Sequence, residues 1–259
     1  MKTPPNAFLA AIGAGRKQIG LWVSLAHHYA AEVVAGAGYD WLVVDMEHAP
    51  GDVLTTLGQL QAIASYPSTA IVRTPWNDPV MVKRLLDIGA RGILFPMVQS
   101  AEEAAQAVAA TRYPPHGVRG VAGAIRGNRF GRMTDYYARV DTETCVLIQL
   151  ETQSAIDQAA HIASVNGVDG IFFGPADIAA DMGLIGQPMH ADVWARIMPA
   201  ARKLMDLGVP VGTLVTDPGF AAKLFNDGFT FVACGTDTGL LAKAADTLLA
   251  QMRQTTKET

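Results

Sequence analysis

The chain has 259 residues, 50% of them hydrophobic and 17% charged, with a formal net charge of −4. That is too apolar for a disordered chain, and an acidic whole argues against nucleic-acid binding. No apolar run is long enough to span a membrane, MKTPPNAFLA at the start lacks the apolar core of a signal peptide, and Cys145 and Cys234 sit in apolar runs, as free thiols of a cytoplasmic protein would.

Strand and helix signals alternate from end to end. Near-continuous apolar runs, the pattern of strands buried on both faces, fall at 20–25 (GLWVSL), 41–46 (WLVVDM), 69–74 (TAIVRT) and 92–98 (GILFPMV). Four more follow at 144–151 (TCVLIQLE), 170–177 (GIFFGPAD), 210–215 (PVGTLV) and 229–235 (FTFVACG). Amphipathic stretches lie between them. Residues 78–90 open with Asp78 as N-cap and Pro79 at the first helical position, and stop at Gly89. Residues 100–113 open with a capping box, Ser100 with Glu103. The 217–228 stretch repeats the Asp-Pro start and Gly stop, and a helix over 238–254 closes the chain. The longest interruption is 114–140, which carries Arg119, Arg126, Arg129, Arg132 and Arg139.

Eight strands, each followed by a helix, with no linker between them, predict one (β/α)8 TIM barrel over 1–259. A doubly wound sheet is the alternative. It would show fewer strands and a nucleotide fingerprint, and neither G-x-G-x-x-G after the first strand nor a Walker A sequence occurs.

A barrel gathers its chemistry at the C-terminal ends of its strands. Strand two ends there with Asp45, Glu47 and His48, strand three near Arg73, strand five with Gln149 and Glu151, and strand six with Asp177; strand eight leads into Asp237. Strand parity puts Cys145, Leu147, Gln149 and Glu151 on one face. If that face is the interior, Glu151 meets Asp177 at the mouth. Two carboxylates on neighbouring strands suit a hard divalent cation. No lysine lies at a strand end, which argues against a Schiff base. No G-x-S-x-G elbow, H-E-x-x-H pair or C-x-x-C pair occurs either.

The segments GLW (20–22), GYDWLVVDMEHAP (38–50), VR (72–73), LDIGARGILFPMV (86–98), ATRYPPHGVRGV (110–121), QLET (149–152), GVDGIFFGPADIAADMG (167–183) and GTDTGLL (235–241) run through nearly the whole chain. On them the chain resembles the HpcH/HpaI aldolases, metal-dependent class II pyruvate aldolases. The resemblance implies that Glu151 and Asp177 ligate Mg²⁺, Mn²⁺ or Co²⁺, with no organic cofactor. It implies that Arg73 holds a 2-oxo acid, assisted by Gln149 and the backbone of Gly174, Pro175 and Ala176. Trp22 would wall the pyruvate pocket and Leu214 would touch the aldehyde. His48 would be the general base, partnered by Asp45; an imidazole suits that task because its ordinary pKa of roughly 6.5 lies near working pH. The reaction would cleave a 4-hydroxy-2-oxo acid into pyruvate, or an analogue such as hydroxypyruvate, and an aldehyde. Oxaloacetate decarboxylation through the same enolate is a second expectation, and a catalytically idle barrel serving assembly a third. The resemblance further implies a homo-hexamer, a trimer of dimers that exchange their last helices.

Some residues stay open at this point. Glu47 is either a structural acid or a partner of the metal's waters. Asp237 reads as structural, His27 and His28 as loop or helix-start residues, and His116, His161 and His190 as surface or loop residues. The arginines of 114–140 read as a solvated loop, or as a gate for anionic aldehydes at the rim after strand four.

Overall fold

Eight parallel strands close on themselves in chain order: β1 (Gln18–Val23), β2 (Trp41–Asp45), β3 (Thr69–Arg73), β4 (Gly92–Phe95), β5 (Cys145–Leu150), β6 (Gly170–Phe173), β7 (Val211–Leu214) and β8 (Phe231–Thr236). The structure is a computed structural model and describes residues 1–256, so Lys257 lies outside it. Each predicted strand is present with its ends shifted by a few residues; most are trimmed, while β1 starts two residues earlier and β8 runs one residue further than predicted. The chain is a (β/α)8 barrel. Twelve helices accompany the strands among the described residues: α1 (Ala7–Gly13), α2 (His28–Ala35), α3 (Val53–Ile63), α4 (Pro79–Asp87), α5 (Ala101–Thr111), α6 (Tyr136–Glu143), α7 (Gln153–Asp157), α8 (Ala159–Ala163), α9 (Pro175–Asp181), α10 (Ala191–Asp206), α11 (Pro218–Asn226) and α12 (Asp237–Thr255).

The helix starts follow the predicted chemistry. Asp78 accepts from the N–H groups of Val80 and Met81, with Pro79 at the first turn of α4. Asp217 does the same for α11 through Phe220 N at 2.6 Å. The capping box is half right. Ser100 Oγ accepts from Glu103 N at 3.2 Å, but the Glu103 carboxylate reaches back to Gln99 N (2.7 Å), one residue before the cap. His27 and His190 are also caps, of α2 and α10, each accepting from a backbone N–H two residues on.

Two apolar layers share the strands. Val146, Ile148 and Leu150 face outward into the layer between strands and helices. Cys145 and Leu147 face inward with Trp41, Val43, Leu94, Phe172 and Phe231, so parity assigns Gln149 and Glu151 to the interior as expected. α1 closes the base of the barrel, where Phe8 lies 5.2 Å from Trp41 and 5.7 Å from Phe231, centroid to centroid. The interior is therefore solid below and open only above.

The 114–140 segment corrects the expectation of a gate. α5 carries the chain from the mouth down to the base before the segment begins, and the segment packs there. Arg119 Nη2 donates to Asp87 at the lower end of α4 (2.8 Å), and Arg126 Nη1 donates to Ile88 O (2.7 Å). Arg132 O receives the N-terminal ammonium, and Arg139 pairs with Glu143. The segment also ends in helix rather than loop, since α6 starts at Tyr136. No helix among the described residues is long and apolar enough to cross a membrane.

Candidate active site

The open end of the barrel holds a cavity of about 540 Å³. Its lining takes in Trp22, Asp45, His48, Arg73, Gln149, Gly174, Pro175, Ala176, Asp177 and Leu214. Ten of the eleven residues expected at the site thus share one wall, and the eleventh, Glu151, lies directly behind it.

Parallel pairing sets the first cluster. Asp45 and Arg73 are register partners at the ends of β2 and β3. Side chains at paired positions point the same way, so the two meet inside the mouth. Arg73 Nε and Nη2 donate to the two oxygens of Asp45 at 2.8 and 2.7 Å, and Arg73 Nη1 lies 2.7 Å from Glu47 Oε2. The guanidinium also lies over the Trp22 ring, 4.9 Å from its centroid. A buried ion pair of this kind is firm only when both partners are satisfied. Burial alone would raise the Asp45 carboxyl, but the hydrogen bonds and charge of Arg73 outweigh it and hold Asp45 below the usual carboxylate range.

Asp45 is not brought to the His48 ring. Besides a side-chain contact with Trp22, it accepts from backbone, from Glu47 N at 3.0 Å and His48 N at 3.5 Å, so it shapes the turn that carries His48. The carboxylate beside the imidazole is Glu47, with Oε1 3.9 Å from His48 Nε2. Glu47 therefore bridges Arg73 and His48. Of the two readings the sequence left open, these contacts are those of an acid paired with its neighbours at the rim. Burial raises its carboxyl above the ordinary value against the opposing charge of Arg73.

The second cluster sits on β5 and β6. Glu151, only 2% exposed, accepts from Met97 N through Oε2 and from Gln149 Nε2 through Oε1, both at 2.6 Å. The amide of Gln149 thus holds Glu151 in place, while Gln149 Oε1 is buried without a partner. Asp177 comes from the first turn of α9, which Gly174 caps and Pro175 opens. A Cβ on Gly174 would stand 2.9 Å from Glu151 Cγ, so glycine leaves the room this carboxylate occupies. Burial, followed by the negative charges of Asp177 and Glu47, pushes Glu151 up to about 8 despite the Met97 N–H. Of the four carboxylates here, Asp45 and Glu47 contact the Arg73 guanidinium, while Glu151 and Asp177 form a second pair, the first buried and the second partly so. The oxygen donors of that second pair are of the kind a hard dication takes.

Asp237 is structural, as the sequence indicated. Its two oxygens accept from Ser24 N (2.8 Å) and Leu25 N (3.1 Å), tying the end of β1 to the start of α12. Sequence reasoning missed the neutral far wall of the cavity, which includes Pro188, Met189, Thr216, Thr236 and Thr238. No motif marks these residues; only their places on the loops above β6, β7 and β8 do.

The model of the HpcH/HpaI aldolase/citrate lyase family matches residues 18–244. The chain belongs to the HpcH/HpaI aldolase family. A 4-hydroxy-2-oxo-heptane-1,7-dioate aldolase from Salmonella dublin is 52% identical over 247 residues, covering 95% of this chain and 94% of its own. Its Escherichia coli counterpart is 51% identical over the same span. The crystal structure of a family protein from Burkholderia cenocepacia superposes with a TM-score of 0.90 at 38% identity, covering 96% of this chain and 99% of that one. Membership of an aldolase family gives the two charged clusters a common setting, with the Arg73 group facing the Glu151 and Asp177 group across one HpcH/HpaI mouth.

Proposed function

We propose that the protein is a divalent-cation-dependent aldolase that reversibly cleaves 4-hydroxy-2-oxo acids to pyruvate and an aldehyde. The observation that carries this is the convergence of Arg73, His48 and Asp177 on one cavity, with Glu151 directly behind its wall, in a chain about half identical to named 4-hydroxy-2-oxo acid aldolases over nearly its full length. The same convergence argues against an idle barrel.

The residues suit the steps. Arg73 carries five N–H donors; Nε and Nη2 each give one to Asp45, and Nη1 stands in ion-pair contact with Glu47 without a hydrogen bond. The Nη donors left over would meet a 2-oxo acid from a guanidinium already oriented before substrate arrives. His48, on the solvent side with its side chain 66% exposed, takes the proton of the C4 hydroxyl. Glu47 then balances the imidazolium that forms. The C3–C4 bond breaks, the aldehyde leaves, and the enolate of pyruvate stays with Arg73. The apolar and hydroxyl wall around Leu214 receives the aldehyde.

Glu151 and Asp177 are the residues that would hold the cation. They supply oxygen donors only, which fits Mg²⁺ or Mn²⁺, with Co²⁺ also admissible. Among the described residues no three His, Cys, Asp or Glu side chains are placed to hold one ion together, so water and substrate would complete the coordination, as an open catalytic site requires. The bound cation supplies positive charge where the 2-oxo acid becomes an enolate. The exposed face of α12 supports a homo-oligomer, and two free cysteines agree with a reducing cytoplasm.

The test is exchange of pyruvate methyl protons in deuterated water. Exchange that needs a divalent cation and stops with chelator is expected. Absence of exchange with Mg²⁺, Mn²⁺ and Co²⁺ alike would overturn the proposal.

A further inference from the structure

A second cavity, of about 300 Å³, lies at the opposite end of the barrel from the mouth. The starts of β3 and β5, the N-terminal arm and the 126–129 turn enclose it, and Arg91, Arg119, Arg126 and Arg129 line it with Glu143 as the one carboxylate. Arg91 faces Glu143 at 3.5 Å, and Arg119 is paired with Asp87. That leaves Arg126 and Arg129 with no carboxylate partner among the described residues.

Three observations give this basic cavity the character of a built site. First, Arg119 has a fully buried side chain whose Nε and Nη1 have no acceptor. Unpaired donors in an interior are rare and mark a place for water or an ion. Second, Arg126 is held against the base of α4 by its bond to Ile88 O, although burial and then the charge of Arg129 both disfavour its cationic form. Third, Arg129 and Phe130 both have positive φ, 54° and 59°, which costs energy in non-glycine residues. Asn128, only 2% exposed, holds that turn by accepting from Ile125 N and Gly131 N and donating to Gly123 O. The turn thus brings two like charges to one cavity whose single carboxylate, Glu143, is already engaged by Arg91 and Arg139.

We propose that this basal cavity binds a small oxyanion of two negative charges, of the phosphate type, between Arg126 and Arg129. Guanidinium forks suit tetrahedral oxyanions through paired N–H bonds. The bound anion would neutralise the two arginines and join the 126–129 turn to the N-terminal arm and the α4–β4 connection. The site lies across the barrel from the catalytic mouth and shares no residue with it.

The test uses tungstate soaked into crystals of the full chain, located by its anomalous signal, with inorganic phosphate and malonate titrated by calorimetry at fixed ionic strength. An anomalous peak between Arg126 and Arg129 is expected, with phosphate bound at least tenfold more tightly than malonate. Arg126→Ser with Arg129→Gly should weaken phosphate at least tenfold; glycine suits the left-handed position, and circular dichroism and the thermal midpoint check that the variant folds. A peak confined to the mouth, no peak, or equal phosphate affinity in the double variant would each overturn the proposal. Tighter binding of malonate would overturn the assignment to phosphate-type anions.

Discussion

Arg73 is the residue on which the mouth depends, because it is the guanidinium that Asp45 and Glu47 both face there. Its pairing with Asp45 could not be read from the order of residues alone. Asp45 and Arg73 are 28 positions apart, and only the β2–β3 register makes them face each other. The sequence did point to the imidazole of His48, but not to its neighbour, because 45, 47 and 48 leave a tight turn whose shape no pattern fixes. His48→Ala should lower kcat by about 10²–10⁴-fold, while calorimetry finds the affinity for Mn²⁺ within a factor of about two of the parent. Wild-type turnover in that variant would remove His48 from the mechanism. Glu151 gives a pH test. Its folded pKa of about 8 lies above the ordinary 4.5, so between those values the unfolded chain holds fewer protons than the folded one. Stability of the cation-free protein should then fall as pH rises through that window. Glu151→Gln keeps the shape without the charge and should flatten the fall in thermal midpoint. An identical pH profile in the variant would count against this reading of the site.

At the scale of elements, the barrel was legible because its strands are buried on both faces and its helices carry strong starts. Asp78-Pro79 and Asp217-Pro218 each open a helix where the residues say they should. The placement of 114–140 was not legible in the same way. It depends on direction of travel: a segment that follows a helix reaches the base, whereas one that follows a strand reaches the mouth. Packing inside the barrel was also hidden. Large rings fill the lower interior because small residues stand opposite them. A Cβ on Gly20 would come within 2.4 Å of the Trp41 indole, and one on Gly212 within 2.2 Å of the Phe231 ring. Gly212→Ala should therefore destabilise the fold by about 1–3 kcal/mol through overpacking. Urea denaturation should find a lower midpoint with an unchanged slope.

The whole molecule is finished by surfaces that one chain does not cover. α12 extends over 19 residues, and among them only Asp237 is buried. Leu240, Leu241, Leu248, Leu249 and Met252 are all at least 50% exposed. An apolar face of this extent is what the proposed homo-oligomer would cover. Changing Leu248 and Leu249 together to Lys should lower the assembly mass in sedimentation velocity by at least half. An unchanged mass would separate this face from assembly.

The anchoring of α12 carries a consequence of its own. The helix starts at Asp237, whose carboxylate ties down the backbone of Ser24 and Leu25, and Ser24, Thr236 and Thr238 all line the catalytic cavity. The element that exposes these leucines is therefore rooted in the pocket wall. Whatever steadies α12 along its length also steadies that wall. Turnover per chain should then fall on dilution and recover on concentration, so that quaternary mass action acts as a dimmer on the chemistry.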